Sequence, residues 1–468
     1  MTHEHGSNVD SETYIFDHEL KLSELTYTYP NYEGKDRNLV VSNTSGASAL
    51  VEDDILEMLL KFKEPRTPSE FADQAQEQII SDFYKAEILI DANRSGFDIL
   101  GEKIDRMKNR PELDIIPVVT VQCNLACPYC FEGSPGKETY MSEKLVEKIV
   151  DYSVERIENE GITKLFSSLY GGEPLLNKKT CYLFLEKMDK EADRLNVPHR
   201  SDLITNGTLI DKEFLEFVSQ LDGFFVQVTI DGPREVHNQR RIFKNGKGSY
   251  DIIMGNLATI ADYAELRLRV NVDTTNLERI PDLIEDLVST GVHQKNVYVS
   301  LARVTASTSQ NMEYKPKCIS AKQFDMSILP YVKKLREAGF EVFINPTKKP
   351  RYIYCAAYSG KHIAIDPDGN LFTCLEGMGN PDYVVGNIWE DPMYNSRYDE
   401  WKSVSVLNFA ECRKCDTIGF CGGGCGAEAL AKYGCFTKGL ACPPVKWSYV
   451  GGVVLPAEFR RELEEVMG

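Results

Sequence analysis

Short apolar segments alternate with amphipathic segments between residues 115 and 304. The apolar segments are predicted to be strands, because they are short and rich in β-branched and aromatic residues. Helices are predicted between them, beginning near residues 177, 211, 250 and 277. This alternation predicts a parallel α/β barrel, complete or partial, with its chemistry at the carboxyl ends of the strands. The six predicted strands are 115–122, 164–170, 202–206, 224–231, 266–273 and 297–304.

The residues before the barrel have a different pattern, which predicts a strand, a turn and three helical segments. NLVVSNTSGASALV forms the strand and turn, and EDDILEMLLKF, TPSEFADQ and SDFYKAEILI are the helical segments. Thr67-Pro68-Ser69-Glu70 is typical of a capped helix start. The polar segment 99–114 is interpreted as a connection to the barrel. We therefore predict a winged-helix-like module at residues 1–107 and a barrel domain at residues 108–345.

Cysteines distinguish the remainder of the chain, residues 346–468, which we predict to be a domain folded around metal. Eleven of the 13 cysteines fall in two groups, 123–130 and 355–442. Of the two isolated cysteines, Cys181 begins an apolar stretch and is interpreted as a packed small hydrophobic residue. Clustered thiols in a reducing compartment indicate metal binding or catalysis rather than disulfides.

Composition and charge exclude several classes of partner. The chain has 53 Lys and Arg against 71 Asp and Glu, and the net charge of −18 repels nucleic acid. No apolar run approaches the ~18 residues of a membrane helix. The first residues lack the basic start and apolar stretch of an export signal, so we expect a cytoplasmic protein with no membrane partner.

Three cysteines, Cys123, Cys127 and Cys130, follow directly after the first predicted barrel strand. They are therefore expected at the catalytic face. A structural zinc site needs four ligands, and this loop has no fourth cysteine or histidine. Three thiolates on an iron–sulfur cube leave one iron free, whereas three on zinc leave a position for water. Spacing alone leaves both alternatives open.

The run CNLACPYC resembles the CxxxCxxC signature of the radical S-adenosylmethionine (SAM) superfamily, including the aromatic Tyr129 before the last cysteine. Gly171-Gly172-Glu173-Pro174 after the second strand is similar to the GGEP motif of that family. Asn206 lies in a Thr-Asn-Gly motif after the third strand. Asp231 begins a DGP…H…R segment like that of the peptide-modifying branch, although Asn238 replaces the Asp that is common there.

This resemblance implies that Cys123, Cys127 and Cys130 bind a SAM-cleaving [4Fe–4S] cluster and that the GGEP motif binds the SAM amino group. Arg269 and Asn271 in the fifth strand are assigned to the ribose or carboxylate of SAM. The implied SAM-binding residues are Tyr129, Gly171, Gly172, Glu173, Pro174, Asn206, Asp231, Arg269 and Asn271.

The second cysteine group resembles the SPASM extension of radical SAM enzymes, which holds two auxiliary [4Fe–4S] clusters. The resemblance therefore implies three [4Fe–4S] clusters in the chain. It assigns Cys355, Cys374 and Cys425 to the first auxiliary cluster and Cys412, Cys415, Cys421 and Cys442 to the second.

Cys435 remains unassigned. The sulfatase-maturing branch has a further cysteine soon after the position of Cys355, and this sequence has none there. The first auxiliary cluster is therefore expected to keep an open iron, unless Cys435 fills that position. A zinc ribbon is the alternative for the whole group, because CxxC pairs are common in zinc sites.

The resemblance implies reductive cleavage of SAM to a 5′-deoxyadenosyl radical, which takes a hydrogen atom from the substrate. The N-terminal module resembles the leader-recognition element of ribosomal peptide maturases, which binds a leader peptide as an added strand. We therefore expect a maturase that crosslinks a ribosomally synthesised precursor peptide, with a thioether favoured over a carbon–carbon bond. Its electron donor would be a reductase, flavodoxin or ferredoxin.

Two alternatives remain open. Sulfatase maturation, which forms formylglycine, is disfavoured by the long N-terminal module and by the missing cysteine after Cys355. A non-enzymatic iron–sulfur electron carrier or zinc-held binding protein would have no use for the GGEP and DGP segments.

Overall fold

The structure is a computed structural model, and it does not describe every residue. Cys442, which the resemblance assigns to the second auxiliary cluster, lies outside the described residues. In the described part of the chain, no helix combines the length and the apolar composition needed to cross a bilayer. The described residues are 18–32, 37–70, 73–132, 139–306, 311–342 and 350–436.

Two small sheets and three helices make up the described N-terminal region. Strand β1 (Leu20–Leu22) pairs antiparallel with β5 (Leu89–Asp91). The second sheet is antiparallel and has the order β2–β3–β4, with strands Thr26–Tyr29, Asn38–Ser42 and Ser48–Val51. The helices are α1 (Asp53–Lys61), α2 (Gln74–Lys85) and α3 (Gly96–Lys108).

The N-terminal predictions are partly correct. The segment EDDILEMLLKF is helical, as α1, and the predicted capped start at Thr67 is followed by a 3₁₀ turn at Pro68–Glu70. The end of SDFYKAEILI was predicted to be helical and instead enters β5, because β1 provides a pairing edge there. Most of the predicted connection 99–114 is helix α3 or the first barrel strand.

A parallel sheet in the middle of the molecule confirms the predicted α/β fold. Its six main strands are hydrogen-bonded in chain order, and β12 (Glu341–Val342) extends the sheet beyond the last of them. The strand order does not close on itself among the described residues, so this is a partial barrel. The six strands are β6 (Glu112–Thr120), β7 (Lys164–Gly171), β8 (His199–Thr205), β9 (Phe225–Thr229), β10 (Glu265–Val272) and β11 (Val297–Arg303).

Amphipathic helices connect these strands. The helices predicted near residues 177, 211, 250 and 277 begin at residues 178, 212, 250 and 280, which confirms them. Their apolar faces and alternate strand residues form one core, which also contains the buried Cys181. The helices are α4 (Glu143–Glu160), α5 (Lys178–Leu195), α6 (Lys212–Val218), α7 (Arg234–Arg240), α8 (Tyr250–Tyr263), α9 (Ile280–Ser289) and α10 (Ala321–Glu337).

The cysteine-rich C-terminal region continues the barrel sheet. Strand β13 (His362–Ile365) pairs in parallel with β6, and β14 (Asn370–Phe372) and β15 (Gly386–Asn387) follow antiparallel. These strands have two to four residues, too few for a periodic pattern. The helices of this region are α11 (Ser396–Ser403), α12 (Ala410–Arg413), α13 (Ile418–Cys421) and α14 (Gly426–Tyr433).

Candidate active site

The loop that carries Cys123, Cys127 and Cys130 begins at the carboxyl end of β6. The sulfur of Cys123 accepts a hydrogen bond from the Leu125 N–H at 3.4 Å, and the Cys130 N–H donates to the Cys127 carbonyl at 3.2 Å. The amide of Asn206, at the end of β8, donates to Cys123 Sγ at 3.8 Å and to Asn124 Oδ1 at 2.7 Å. The third strand therefore orients the first cysteine.

Burial disfavours the charged form of the thiols in this loop. Burial raises the pKa of Cys123 to about 11 and the pKa of Cys130 to about 12. Bound iron would oppose this effect, because its positive charge favours the thiolate that metals bind. In the described part of the chain, no three His, Cys, Asp or Glu side chains converge on a single-ion site. A cube does not need such convergence, since each thiolate binds a different iron.

The Gly171–Pro174 turn lies against the backbone that leads into the cysteine loop. A Cβ on Gly171 would lie 2.2 Å from the Thr120 carbonyl oxygen, and one on Gly172 would lie 2.4 Å from that of Gln122. The Gly172 and Glu173 N–H groups donate to the same two carbonyls, at 3.0 and 2.8 Å. The glycines thus permit a close approach to the backbone at and just after the carboxyl end of β6.

Glu173 is fully buried and binds the end of the neighbouring strand. Its carboxylate accepts from the Asn206 N–H at 2.8 Å and from the Leu175 N–H at 3.1 Å. The Thr205 hydroxyl is 2.8 and 2.9 Å from its two oxygens. Burial raises the pKa of Glu173, although these hydrogen bonds oppose the shift. The carboxylate therefore couples the end of β7 to the end of β8.

Tyr129 and Asp231 are in direct contact. The Tyr129 hydroxyl donates to the Asp231 carboxylate and accepts from Arg241 Nη1 at 2.8 Å. Asp231 is fully buried, and its other oxygen accepts from the Asn271 N–H at 3.0 Å. Arg269 Nε donates to Asn271 Oδ1 at 2.9 Å. Four of the predicted SAM contacts thus form one network beside the cysteine loop.

Both ring nitrogens of His237, the histidine of the DGP…H…R segment, hydrogen-bond to neighbouring groups of the protein. His237 Nδ1 accepts from the Asp231 N–H at 3.2 Å, so its proton is on Nε2, which bonds Ser249 Oγ at 3.0 Å. Burial lowers the pKa of His237 to about 3, which keeps the ring neutral. Asn238 Oδ1 accepts the Tyr250 N–H at the start of α8, at 3.0 Å. The Asn238 amide therefore supplies the acceptor for the start of α8, at the position where the peptide-modifying branch commonly has Asp.

Several residues at this site were missed from the sequence. Arg241 approaches Tyr129 and Cys127, and its buried Nε has no hydrogen-bond partner among the described residues. Glu132 bonds Tyr170, and burial raises the pKa of its carboxyl to about 7. Asp273 accepts from Arg240 Nη1 at 2.5 Å. Only their position next to the motifs could have indicated these residues from the sequence. Arg241 follows Arg240 of the DGP…H…R segment, and Tyr170, which was also missed, precedes Gly171.

Cys355, Cys374 and Cys425 come from separate turns of the C-terminal region and lie near one another. Burial, followed by the proximity of Cys355, Glu376 and Cys425, raises the pKa of Cys374. Burial also raises the pKa of Cys425 to about 12. These residues fit the first auxiliary set, and the acidic Glu376 beside them was missed from the sequence.

The described residues of the second auxiliary set lie on two short helices and the turn between them. Cys412 is in α12, Cys421 ends α13, and the Cys415 N–H donates to the Cys412 carbonyl at 3.0 Å. Cys415 Sγ lies 3.2 Å from Thr417 Oγ1. Cys435 follows α14. None of the thiols in the described part of the chain forms a disulfide.

Known proteins similar to this chain include radical SAM enzymes. The family model of the radical SAM superfamily matches residues 118–287, from β6 to α9. The serine-type anaerobic sulfatase-maturating enzyme of Bacteroides thetaiotaomicron is 24% identical over 352 residues, covering 68% of this chain and 83% of that protein. The radical SAM cyclopropyl synthase TigE of Paramaledivibacter caminithermalis is 24% identical over 452 residues, covering 89% of this chain and 91% of TigE.

Solved structures share the fold. Histidine-tagged anSMEcpe with bound AdoMet superposes with a TM-score of 0.59 at 18% identity, covering 76% of this chain and 99% of that chain. Streptococcus suis SuiB bound to precursor peptide SuiA gives a TM-score of 0.52 at 14% identity, covering 88% of this chain and 96% of that chain. Residues 118–287 therefore form a radical SAM domain, and the chain as a whole is similar to sulfatase and peptide maturases.

Proposed function

We propose that this enzyme binds SAM and a ribosomally synthesised precursor peptide, and forms a crosslink in that peptide. The observation that carries the proposal is the extent of similarity. Residues 1–107 are more than a fifth of the 468-residue chain, so an alignment that covers 89% of the chain extends into them. The alignments with TigE and SuiB cover 89% and 88% of the chain, whereas the alignment with the sulfatase-maturating relative covers 68%.

The N-terminal sheet offers an edge for a leader peptide. Strand β4 pairs with β3 on one side, and no other described strand pairs with its second side. Leu50 on this strand is 51% exposed. An extended peptide can satisfy the free N–H and C=O groups of such an edge as an added strand. We assign the leader of the precursor to this edge.

The chain's own residues would bind and orient SAM at the end of the barrel. The carbonyls of residues 171–173 would accept from its ammonium group, and Arg269 and Asn271 would contact its ribose or carboxylate. Cys123, Cys127 and Cys130 would hold the cluster, which when bound supplies the electron for SAM cleavage and hence a 5′-deoxyadenosyl radical. The hydrogen bonds that join Tyr129, Asp231 and Arg241 would hold the cysteine loop against the ends of the neighbouring strands.

A thioether is the favoured product, because Cys355, Cys374 and Cys425 supply three thiolates and a cube takes four ligands. A cysteine of the precursor would be the fourth ligand. Formation of a carbon–carbon bond is the second candidate, and the extended similarity to a cyclopropyl synthase supports it.

The deciding experiment uses the full enzyme, dithionite, SAM and a short cysteine-rich peptide encoded beside its gene. We expect 5′-deoxyadenosine and a peptide lighter by two hydrogen atoms. Loss of a free thiol from the product would indicate a thioether, and a retained thiol would indicate a carbon–carbon bond. The variant in which Cys123, Cys127 and Cys130 are all Ala should form no 5′-deoxyadenosine but retain auxiliary iron. SAM cleavage by that variant would contradict the assignment.

Sulfatase maturation is tested in the same way with a sulfatase-derived peptide that contains the Cys or Ser to be oxidised. A carbonyl product that reacts with a hydrazine would identify formylglycine. Efficient formation of that product, with no change to the precursor peptide, would overturn the proposed function.

A further inference from the structure

The N-terminal sheet packs on the segment that carries three of the C-terminal cysteines. We call residues 409–421, which include α12 and α13, the cysteine segment. Phe420 of this segment packs against one face of the N-terminal sheet, and Ile418 packs in a second apolar cluster with α3. Both side chains are almost completely buried. The N-terminal partners are Tyr29, Tyr32, Leu39 and Val41 for Phe420, and Leu25, Leu100 and Ile104 for Ile418.

Asn43, directly after β3, joins the two regions through its side-chain amide. It is fully buried. Its Nδ2 donates to the Asp416 carbonyl at 2.9 Å, and its Oδ1 accepts from the Gly419 N–H at 3.2 Å. One donor and one acceptor thus pair with the same stretch of backbone, as a neighbouring strand would. Both bonded residues lie between Cys415 and Cys421, so the amide holds the backbone that separates two thiols.

Two further contacts reinforce this attachment. A Cβ on Gly419 would lie 1.5 Å from the carbonyl oxygen of Asn43, so only glycine permits the approach. The Tyr27 hydroxyl, on β2, donates to the Cys415 carbonyl at 3.2 Å. The backbone of a proposed cluster ligand is therefore bound directly by the N-terminal sheet.

We propose that Asn43 and Tyr27 are positioning residues of the second auxiliary cluster. They hold Cys415 and Cys421 in the arrangement in which the thiolates bind iron. This inference rests on the proposed assignment of Cys412, Cys415 and Cys421 to that cluster. Groups that orient metal ligands control metal affinity and reduction potential, because they limit how far the ligands can move. The N-terminal region would thus serve the cluster as well as the leader.

The test uses the reconstituted holoenzyme of the full chain, with Cys412→Ala identifying the electron paramagnetic resonance signal of this cluster. Asn43→Ala should release iron from it to a chelator about 10-fold faster than the wild type. Tyr27→Phe, which removes only a hydroxyl, should shift its midpoint potential. The controls are Asn38→Ala and Tyr84→Phe, because these side chains hydrogen-bond within the N-terminal region, to Asp53 and Asp91.

Unchanged iron release in Asn43→Ala together with an unchanged potential in Tyr27→Phe would overturn the inference. Equal effects in the two control variants would also overturn it, since the cause would then be general destabilisation. If Asn43→Ala does not fold, the potential of Tyr27→Phe decides. Failure of the proposed function has a different result: the cluster responds to Asn43→Ala as expected, but the wild-type enzyme does not modify the peptide.

Discussion

At the scale of single residues, Glu173 shows how a motif residue can act through the protein rather than through a ligand. Its carboxylate receives three donors: the Leu175 N–H, in the 3₁₀ turn Pro174–Asn177, and the Thr205 hydroxyl and Asn206 N–H at the end of β8. Glu173→Gln replaces one acceptor oxygen by an NH₂ group that cannot accept the Asn206 or Leu175 N–H. An unpaired buried donor costs about 1–3 kcal/mol, so we expect a lower Tm and slower formation of 5′-deoxyadenosine.

The control for this prediction is Glu143→Gln. Glu143 forms an exposed ion pair with Lys179, and we expect no measurable change in Tm from its replacement. The Tm follows from anaerobic calorimetry, and 5′-deoxyadenosine is quantified by chromatography. A Glu173→Gln enzyme with the Tm and cleavage rate of the wild type would show that the carboxylate does not couple the strands.

Cys435 decides between the two accounts of the first auxiliary cluster. If the cluster has an open iron for the precursor thiol, Cys435→Ala should retain most of the activity. Adding precursor should then perturb the electron paramagnetic resonance signal of the auxiliary cluster only when the peptide has its cysteine. Loss of the cluster in Cys435→Ala, with a signal indifferent to the precursor, would refute the open iron.

At the scale of elements, the contact between the ends of β6 and β7 depends on Gly171. Its φ of +148° and the 2.2 Å between a Cβ and the Thr120 carbonyl oxygen leave no room for a side chain. Gly171→Ala should destabilise the enzyme by about 1–3 kcal/mol and slow SAM cleavage. Gly255→Ala in α8 is the matched control, because a Cβ there meets no atom within 4 Å. We expect that control to stabilise the enzyme by about 0.5–1 kcal/mol. Equal Tm values for both variants would contradict this account of the turn.

The interior of the barrel contains a carboxyl group that should make stability depend on pH. Burial raises the pKa of Asp202 on β8 to about 7, with a further contribution from Asp114, while the Ser168 hydroxyl opposes the shift by donating to it. Its pKa in the unfolded chain is about 4, so the folded state binds the proton more tightly. This contribution to stability is complete below about pH 4 and is lost as the pH rises through about 7.

Asp202→Asn removes the titrating group and conserves its shape. The Tm of the variant relative to the wild type should therefore rise between pH 5.5 and pH 8, as measured by anaerobic calorimetry. The control is Asp262→Asn, at an exposed residue paired with Lys295, for which the Tm difference should not change with pH. A pH-independent difference for Asp202→Asn would refute the role of the buried carboxyl.

At the scale of the whole molecule, the N-terminal sheet has two surfaces with separate roles. One face packs on Phe420 of the cysteine segment, and the free edge at β4 is assigned to the leader. Deleting the region would also uncover apolar residues of the C-terminal region, so a single substitution is a cleaner test. Leu50→Asp should weaken precursor binding about 10-fold, because it places a charge where an added strand would bury apolar surface.

Binding is measured by fluorescence anisotropy of a labelled precursor under anaerobic conditions. Ile252→Asp is the control: Ile252 is 46% exposed on α8 of the barrel, away from the edge. Both variants should cleave SAM at the wild-type rate in the absence of peptide. Wild-type precursor affinity in Leu50→Asp would exclude β4 as the docking edge.

The sequence by itself determined the features that depend on local patterns. Short apolar runs rich in β-branched residues located the six strands, and helical spacing located four of the helices between them. The position of Cys123 just after β6 followed from the first of these strands. The GGEP and DGP motifs were identified for the same reason, since each lies within a few consecutive residues.

Only the tertiary structure decided which distant residues meet. Pairing of β13 with β6, the bonds of Glu173 to β8, and the approach of Asn43 to Asp416 across 373 positions join segments far apart in the chain. Such contacts leave no periodic signal, because each depends on how two separately formed elements pack. Helix α3 and strand β5 illustrate the same limit, since burial and an available strand edge determined their conformation.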